Sequence, residues 1–195
     1  MPGRDAARLA DRAFATAIAL HERMRASLGS TLVAAKAISE ALKAGKKLLI
    51  FGNGGSASDA QHMSAELVGR FQRERAAMAA IALTTDTSIV TSIANDYSFK
   101  QVFARQVEAL GQPGDVAFGV STSGESPNVL LALQVAKGRG LKTIALTGRD
   151  GGSVGRAADI HVNVPDQSTA RVQEVHRTLI HVICEVIEED EGTNA

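Results

Sequence analysis

The feature that most constrains this chain is a series of short apolar runs separated, for the most part, by helical patterns. The runs are Lys47–Phe51, Ala79–Leu83, Val116–Val120, Thr143–Leu146 and the weaker Ile160–Val164. Each is too short for a typical helix, and strands joined by helical crossovers pair in parallel. The pattern predicts an α/β fold, a doubly wound sheet of five parallel strands. Three runs lead directly into glycine-containing loops: Gly52-Asn53-Gly54-Gly55, Ser121-Thr122-Ser123-Gly124, and Gly148 to Gly152. In such sheets the loops at the carboxyl ends of the strands form the ligand crevice, so function is expected there.

Two helical patterns precede the first strand, about Asp5 to Ala26 and Ser30 to Lys43. The second ends at Gly45, which suits the left-handed residue after a helix. The last helix is expected from about Ser168 to Glu188. Val172, Val175, Leu179, Val182 and Val186 repeat there at heptad spacing, with Ile180, Ile183 and Ile187 widening the apolar face. Together with two leading helices outside the strand alternation, so apolar a helix predicts helix-mediated oligomerisation. A length of 195 residues without internal repeats predicts one domain over 1–195, with 1–45 as its helical oligomerisation segment.

Charge and cysteine usage narrow the function. Twenty-one basic residues balance 21 acidic ones, so no net field draws nucleic acid or a membrane surface, and neither is an expected partner. Cys184 is the sole cysteine, which rules out an intrachain disulfide and a cysteine-built metal cage. The run Ala13 to Leu20 lies between Asp5, Arg8, Asp11, Arg12 and His21, Glu22, Arg23, which reads as an amphipathic helix rather than a secretory signal. No apolar stretch has the length to span a bilayer. A cytoplasmic location is expected.

Ser121-Thr122-Ser123-Gly124-Glu125-Ser126-Pro127 is the most informative segment. It places four hydroxyls between a strand and a helix. Ser126 suits the cap and Pro127 the first helical position. The free amides and positive dipole end of that helix favour an anion, and the hydroxyls add donors. A polar turn with a capping serine is the plainer reading. No G-x-x-x-x-G-K-[ST] sequence occurs, and Gly52-Asn53-Gly54-Gly55-Ser56 is not a full dinucleotide fingerprint, so no nucleotide cofactor is expected. A monophosphorylated small molecule fits better.

Two carboxylate–histidine clusters flank this loop in sequence. His62 and Glu66 share one helix face, which Arg70 extends by a turn. A solvated stripe with an exposed Glu66–Arg70 pair is the alternative. The last helix carries Gln173, Glu174, His176, Arg177 and His181. Gln173 and His181, eight residues apart, can border one crevice. Polar groups in so apolar a helix need partners, and an oligomer contact would also supply them. Asn95-Asp96, after a Thr/Ser-rich stretch from Thr84 to Ser92, reads as a loop or helix break able to meet sugar hydroxyls. Moving a proton between adjacent sugar carbons needs a base near the carbon and a second group for the oxygens. Glu66 and His181 suit those tasks.

With these segments in place the chain resembles the sugar isomerase (SIS) domain family. The segments that carry the likeness are Gly52-Asn53-Gly54-Gly55-Ser56, Asp59-Ala60-Gln61-His62, Glu66, Asn95-Asp96, Ser121-Thr122-Ser123-Gly124, Ser126, Gln173-Glu174 and His181. The resemblance implies a flavodoxin-like five-stranded sheet and a homotetramer with sites where subunits meet. It implies that Ser121, Thr122, Ser123 and Ser126 hold a phosphate, with Ser56 nearby, and that Asn53, Gly54, Gly55, Asn95 and Asp96 line the sugar. Glu66 and His181 would transfer protons through an enediol, with Gln173 also at the substrate. Zinc (Zn2+) would sit between His62, Glu66, Gln173 and His181, as in some members. The implied activity converts D-sedoheptulose 7-phosphate to D-glycero-D-manno-heptose 7-phosphate, toward nucleotide-activated heptose for lipopolysaccharide or another glycan. Two alternatives belong to the same family: isomerisation of another sugar phosphate, or a non-enzymatic tetramer that binds the bacterial replication initiator. That relative lacks the acid and imidazole matching Glu66 and His181. Glu125 departs from the pattern, placing a carboxylate beside the phosphate loop where it weakens binding only if it points inward.

Overall fold

A computed structural model describes residues 4–192; the first three and last three residues of the expected 1–195 unit lie outside the described residues. Two helices open the chain, α1 (Arg4–Arg25) and α2 (Gly29–Lys43). The alternation then follows as β1 (Leu48–Gly52), α3 (Gly55–Val68), β2 (Ala80–Ala82), α4 (Thr87–Asp96), α5 (Ala104–Leu110), β3 (Val116–Ser121), α6 (Pro127–Gly138), β4 (Lys142–Gly148), α7 (Gly152–Ala157), β5 (Ile160–Val164) and α8 (Thr169–Gly192). A 3-10 turn, Phe99–Gln101, precedes α5. Gly45 takes the left-handed conformation expected after α2, with φ 70°.

All strand pairings are parallel, in the order β2-β1-β3-β4-β5, which is the flavodoxin-like arrangement. Every residue of β1 and β3 is buried, because helices cover both faces of a parallel sheet. Side chains alternate between two cores. Leu48 and Ile50 of β1, Phe118 and Val120 of β3, and Leu146 of β4 pack under α1, α2, α3 and α8. Leu49, Phe51, Ala117 and Ala145 point the other way, under helices α4 to α7. The strand β4 extends beyond the expected Thr143–Leu146 because it pairs on both sides, Lys142 with Val116 and Gly148 with Val164.

The Thr/Ser-rich stretch before Asn95-Asp96 is largely helical, and the helix breaks after Asp96; the Asp86 carboxylate caps α4 by accepting from the Ile89 N–H at 2.9 Å. The Thr91 and Ser92 hydroxyls turn back onto the carbonyls of Thr87 and Ile89, so their polarity is absorbed within the helix. The apolar face of α8 is also spent inside the chain. Val172, Val175, Leu179, Ile180, Ile183 and Ile187 are buried among α1, α2, α3 and the sheet. Large apolar side chains left exposed on this side include Phe14 and Ile18 on α1, Leu32 and Val33 on α2, and Val68 at the end of α3.

Candidate active site

The chain runs from β1 outward to β2, then returns to the other side of β1 to form β3. That reversal opens a crevice between the carboxyl ends of β1 and β3, the usual ligand position in such sheets. Asn53 and Gly54 line one side, ahead of α3, and residues 122–126 line the other, ahead of α6. The Asn53 and Asn128 side-chain amides tie the two sides in a reciprocal pair at 2.8 and 2.9 Å. Asn128 was not singled out from the sequence. Its position directly after Pro127, in the first turn of α6, was the available signal.

The serine loop takes the expected form. Ser126 is the N-cap of α6 and Pro127 its first residue. The Ser126 hydroxyl makes no cap bond to its own helix; its Oγ lies 2.9 Å from Ser121 Oγ. Ser121 Oγ is 3.4 Å from Ser123 Oγ and accepts from the Gly124 N–H at 3.2 Å. Three hydroxyls therefore gather at one helix start, with Thr122 half-buried beside them. Gly124 (φ 71°) permits the turn, and a β-carbon there would strike the Gly151 backbone. Glu125 faces away from this cluster. Its carboxylate accepts from the Ser153 N–H and hydroxyl at 2.9 and 2.7 Å, bonds that hold the carboxyl below its ordinary range.

Glu66 and His62 of α3 meet His181 of α8. His62 Nε2 lies 2.7 Å from His181 Nε2 and 3.3 Å from Glu66 Oε1. The two ring nitrogens therefore face each other at the centre of the cluster. Burial first, then the positive Arg177, pushes the His62 imidazole below its usual range, against the opposite pull of Glu66. Neutral imidazole is the form that ligates metal. Among the described residues these three offer ligand atoms all within 4.8 Å of one another, two nitrogens and a carboxylate oxygen. Such a donor set fits zinc, although the ring tips must part by roughly half an ångström to admit bonds of about 2.0–2.1 Å.

Gln173 sits two turns before His181 on α8, against Gly55 and Asp59; a β-carbon at Gly55 would collide with its amide. Ser56 is buried at the start of α3. Buried Asp59 accepts from Arg177 Nε at 2.8 Å, joining α3 to α8 one turn before the His62–His181 contact. Burial outweighs this cation and raises the Asp59 carboxyl above its normal range. Asn95 and Asp96 lie exposed in the last turn of α4, where Asn95 Nδ2 donates to Asp96 Oδ1 at 2.8 Å. The exposed Glu66–Arg70 pair does not form. The helix α3 stops at Val68, and Arg70 instead meets Glu74 at 3.9 Å while Glu66 turns to His62. His176 is fully buried, with Nε2 2.9 Å from the Thr147 carbonyl.

A serine-rich loop lies at the switch point of a five-stranded parallel sheet, with a carboxylate–imidazole cluster where α3 meets α8, and this arrangement agrees with the comparisons with known proteins. The SIS domain family model matches residues 13–148. Phosphoheptose isomerase from Geotalea daltonii is 54% identical over 173 residues, spanning 86% of this chain and 90% of its own. The Aquifex aeolicus phosphoheptose isomerase is 59% identical over 152 residues, 78% of this chain and 80% of its own. The solved phosphoheptose isomerase of Neisseria gonorrhoeae superposes with a TM-score of 0.88 at 45% identity, covering 94% of this chain and 98% of that one. The one from Francisella tularensis gives 0.91 at 36% identity with the same coverage. The chain belongs to the SIS domain family, among its phosphoheptose isomerases.

Proposed function

We propose that this protein is an aldose–ketose isomerase that converts D-sedoheptulose 7-phosphate to D-glycero-D-manno-heptose 7-phosphate through an enediol, for heptose biosynthesis. The observation that carries the reading is the convergence of Glu66 and His181 from separate helices. A scaffold that only bound a protein partner would need neither group, which disfavours the replication-initiator alternative. The serine cluster binds the phosphate through hydroxyls and the first amides of α6. With the phosphate anchored, the Glu66 carboxylate takes a proton from C1 and returns it at C2. The His181 imidazole serves the oxygens, giving and receiving the proton that moves between them. The Asn53–Asn128 pair keeps the phosphate loop in register with α3. Asn95 and Asp96 are proposed to meet sugar hydroxyls.

His62, Glu66 and His181 would hold zinc, with Gln173 as a further donor from the same helix as His181. When bound, the ion supplies a Lewis acid for sugar oxygens. The protein is further proposed to act as a homotetramer in the cytoplasm. The exposed Phe14 and Ile18 on α1 support self-association, being apolar groups that monomers seldom leave uncovered together. Among the described residues no helix is long and apolar enough to cross a membrane. Incubation with ketose phosphates of five to seven carbons, with products identified by NMR, tests the substrate. Turnover of the seven-carbon ketose above the others is expected. Preference for a hexose phosphate would move the protein to another branch of the reaction class.

A further inference from the structure

Behind the His–Glu cluster, the loop between α3 and β2 is held with unusual directness. The Glu188 carboxylate, buried on α8, accepts the backbone N–H groups of Phe71, Gln72 and Arg73 at 2.8, 2.9 and 3.0 Å. Arg75, largely covered, donates Nε to the same carboxylate at 3.2 Å. Its two remaining nitrogens donate to the carbonyls of Glu66 and Leu67 at 2.7 and 2.8 Å. Phe71, anchored by this arrangement, stacks on the His181 ring with centroids 5.5 Å apart and planes 30° apart. Glu188 and His181 are seven residues apart on α8, so they lie on one face of the helix. The loop is therefore registered to the helix that carries His181, and Arg75 ties it to the peptide of Glu66.

We infer that Glu188, Arg75 and Phe71 form a positioning unit that sets the His181 ring and the Glu66 backbone relative to each other. His62 meets His181 edge-on, with centroids 5.0 Å apart, and Phe71 limits rotation on a second side. A loop needing only to be closed would not require one carboxylate to collect three amides and a guanidinium. Small misplacements of reacting groups are costly in rate, whereas phosphate binding at the far end of the substrate is indifferent to them.

The kinetic consequence rests on the isomerase reading; the geometric one does not. The test compares Phe71→Leu, Glu188→Gln and the conservative Phe71→Tyr in the full chain. Phe71→Leu and Glu188→Gln are expected to lower kcat about ten- to hundred-fold. KM and competition by inorganic phosphate should stay near wild type, and Phe71→Tyr should retain activity. The His181 Cε1–H resonance, assigned with His181→Asn, should move in Phe71→Leu. It should move likewise in Glu188→Gln, where the phenyl ring is still present but displaced. Unchanged kcat together with an unmoved His181 resonance in both variants overturns the inference. Should Glu188→Gln fail to fold, Phe71→Leu decides alone. A wild-type protein without isomerase activity defeats the functional reading, and the resonance then decides the positioning claim by itself.

Discussion

At the scale of single residues, the three serine hydroxyls do not carry equal loads. Ser121 Oγ serves Gly124 and Ser126 as well as any ligand, so its loss would disturb the loop itself. Ser123 Oγ has fewer internal duties, a contact to Ser121 and an acceptance from the Glu125 N–H at 3.2 Å. Ser123→Ala is therefore the cleaner test. It should raise KM by the loss of one hydrogen bond to a charged group, about 1.5–3 kcal/mol, with kcat little changed. Unchanged KM would take Ser123 out of the phosphate site. The paired nitrogens of His62 and His181 bear on the metal. Protein purified without chelator is expected to contain zinc, and His62→Ala to lose it. Absence of zinc from such protein, with full activity in EDTA, would refute the metal site.

At the scale of elements, α1 packs on α8 with one face and leaves another exposed. Phe14 is 73% exposed and Ile18 58%, although Leu20 and Met24 of the same helix are buried in the core. Phe14→Glu should leave the fold intact, because the ring touches no core cluster, while lowering the oligomeric mass seen by light scattering. An undiminished mass would place the self-association elsewhere. The strands were readable from sequence because helices cover both faces of the sheet, which turns each strand into an apolar run. The serine loop was readable because a hydroxyl-rich turn followed directly by a helix-starting proline is a local signal. Two things were hidden. The apolar stripe of α8 looks the same whether its cover comes from another subunit or, as here, from α1 and α2. Phe71 and Glu188 are 117 residues apart, and their bond involves a backbone amide, which carries no side-chain signal. The fate of Glu66 was similarly ambiguous, since Arg70 is as near in sequence as His62 and only the end of α3 at Val68 decides between them.

At the scale of the whole molecule, His176 couples stability to pH. Burial pushes its imidazole down to about 4, against the contact with the Thr147 carbonyl, and Nδ1 is buried without a partner. The unfolded chain takes up this proton near the ordinary histidine value of about 6.5, before the folded one does. Between about pH 6.5 and 4 the unfolded state thus binds more protons, and stability falls as pH falls through that window. Thermal melts of wild type should show this decline, and His176→Gln, which keeps a donor for Thr147, should lack that component. Identical pH profiles would contradict the assignment. Asp115 and Glu188 work lower down. Burial opposes their charge, yet Lys47 beside Asp115 and the loop amides around Glu188 outweigh it, so both carboxyls lie below their usual range. Their stabilisation is complete above about pH 5 and lost as pH falls through the depressed values.

The isomerase reading itself is tested most directly by proton exchange at the reacting carbons. Wild-type protein, incubated with D-sedoheptulose 7-phosphate in deuterated water, should exchange a C1 hydrogen for deuterium and form the aldose. Glu66→Gln should slow both by ~10²-fold or more, the usual contribution of a positioned acid or base, while its thermal stability and phosphate binding persist. Exchange undiminished in Glu66→Gln, or absent from the wild-type protein with every ketose phosphate of five to seven carbons, would contradict the account.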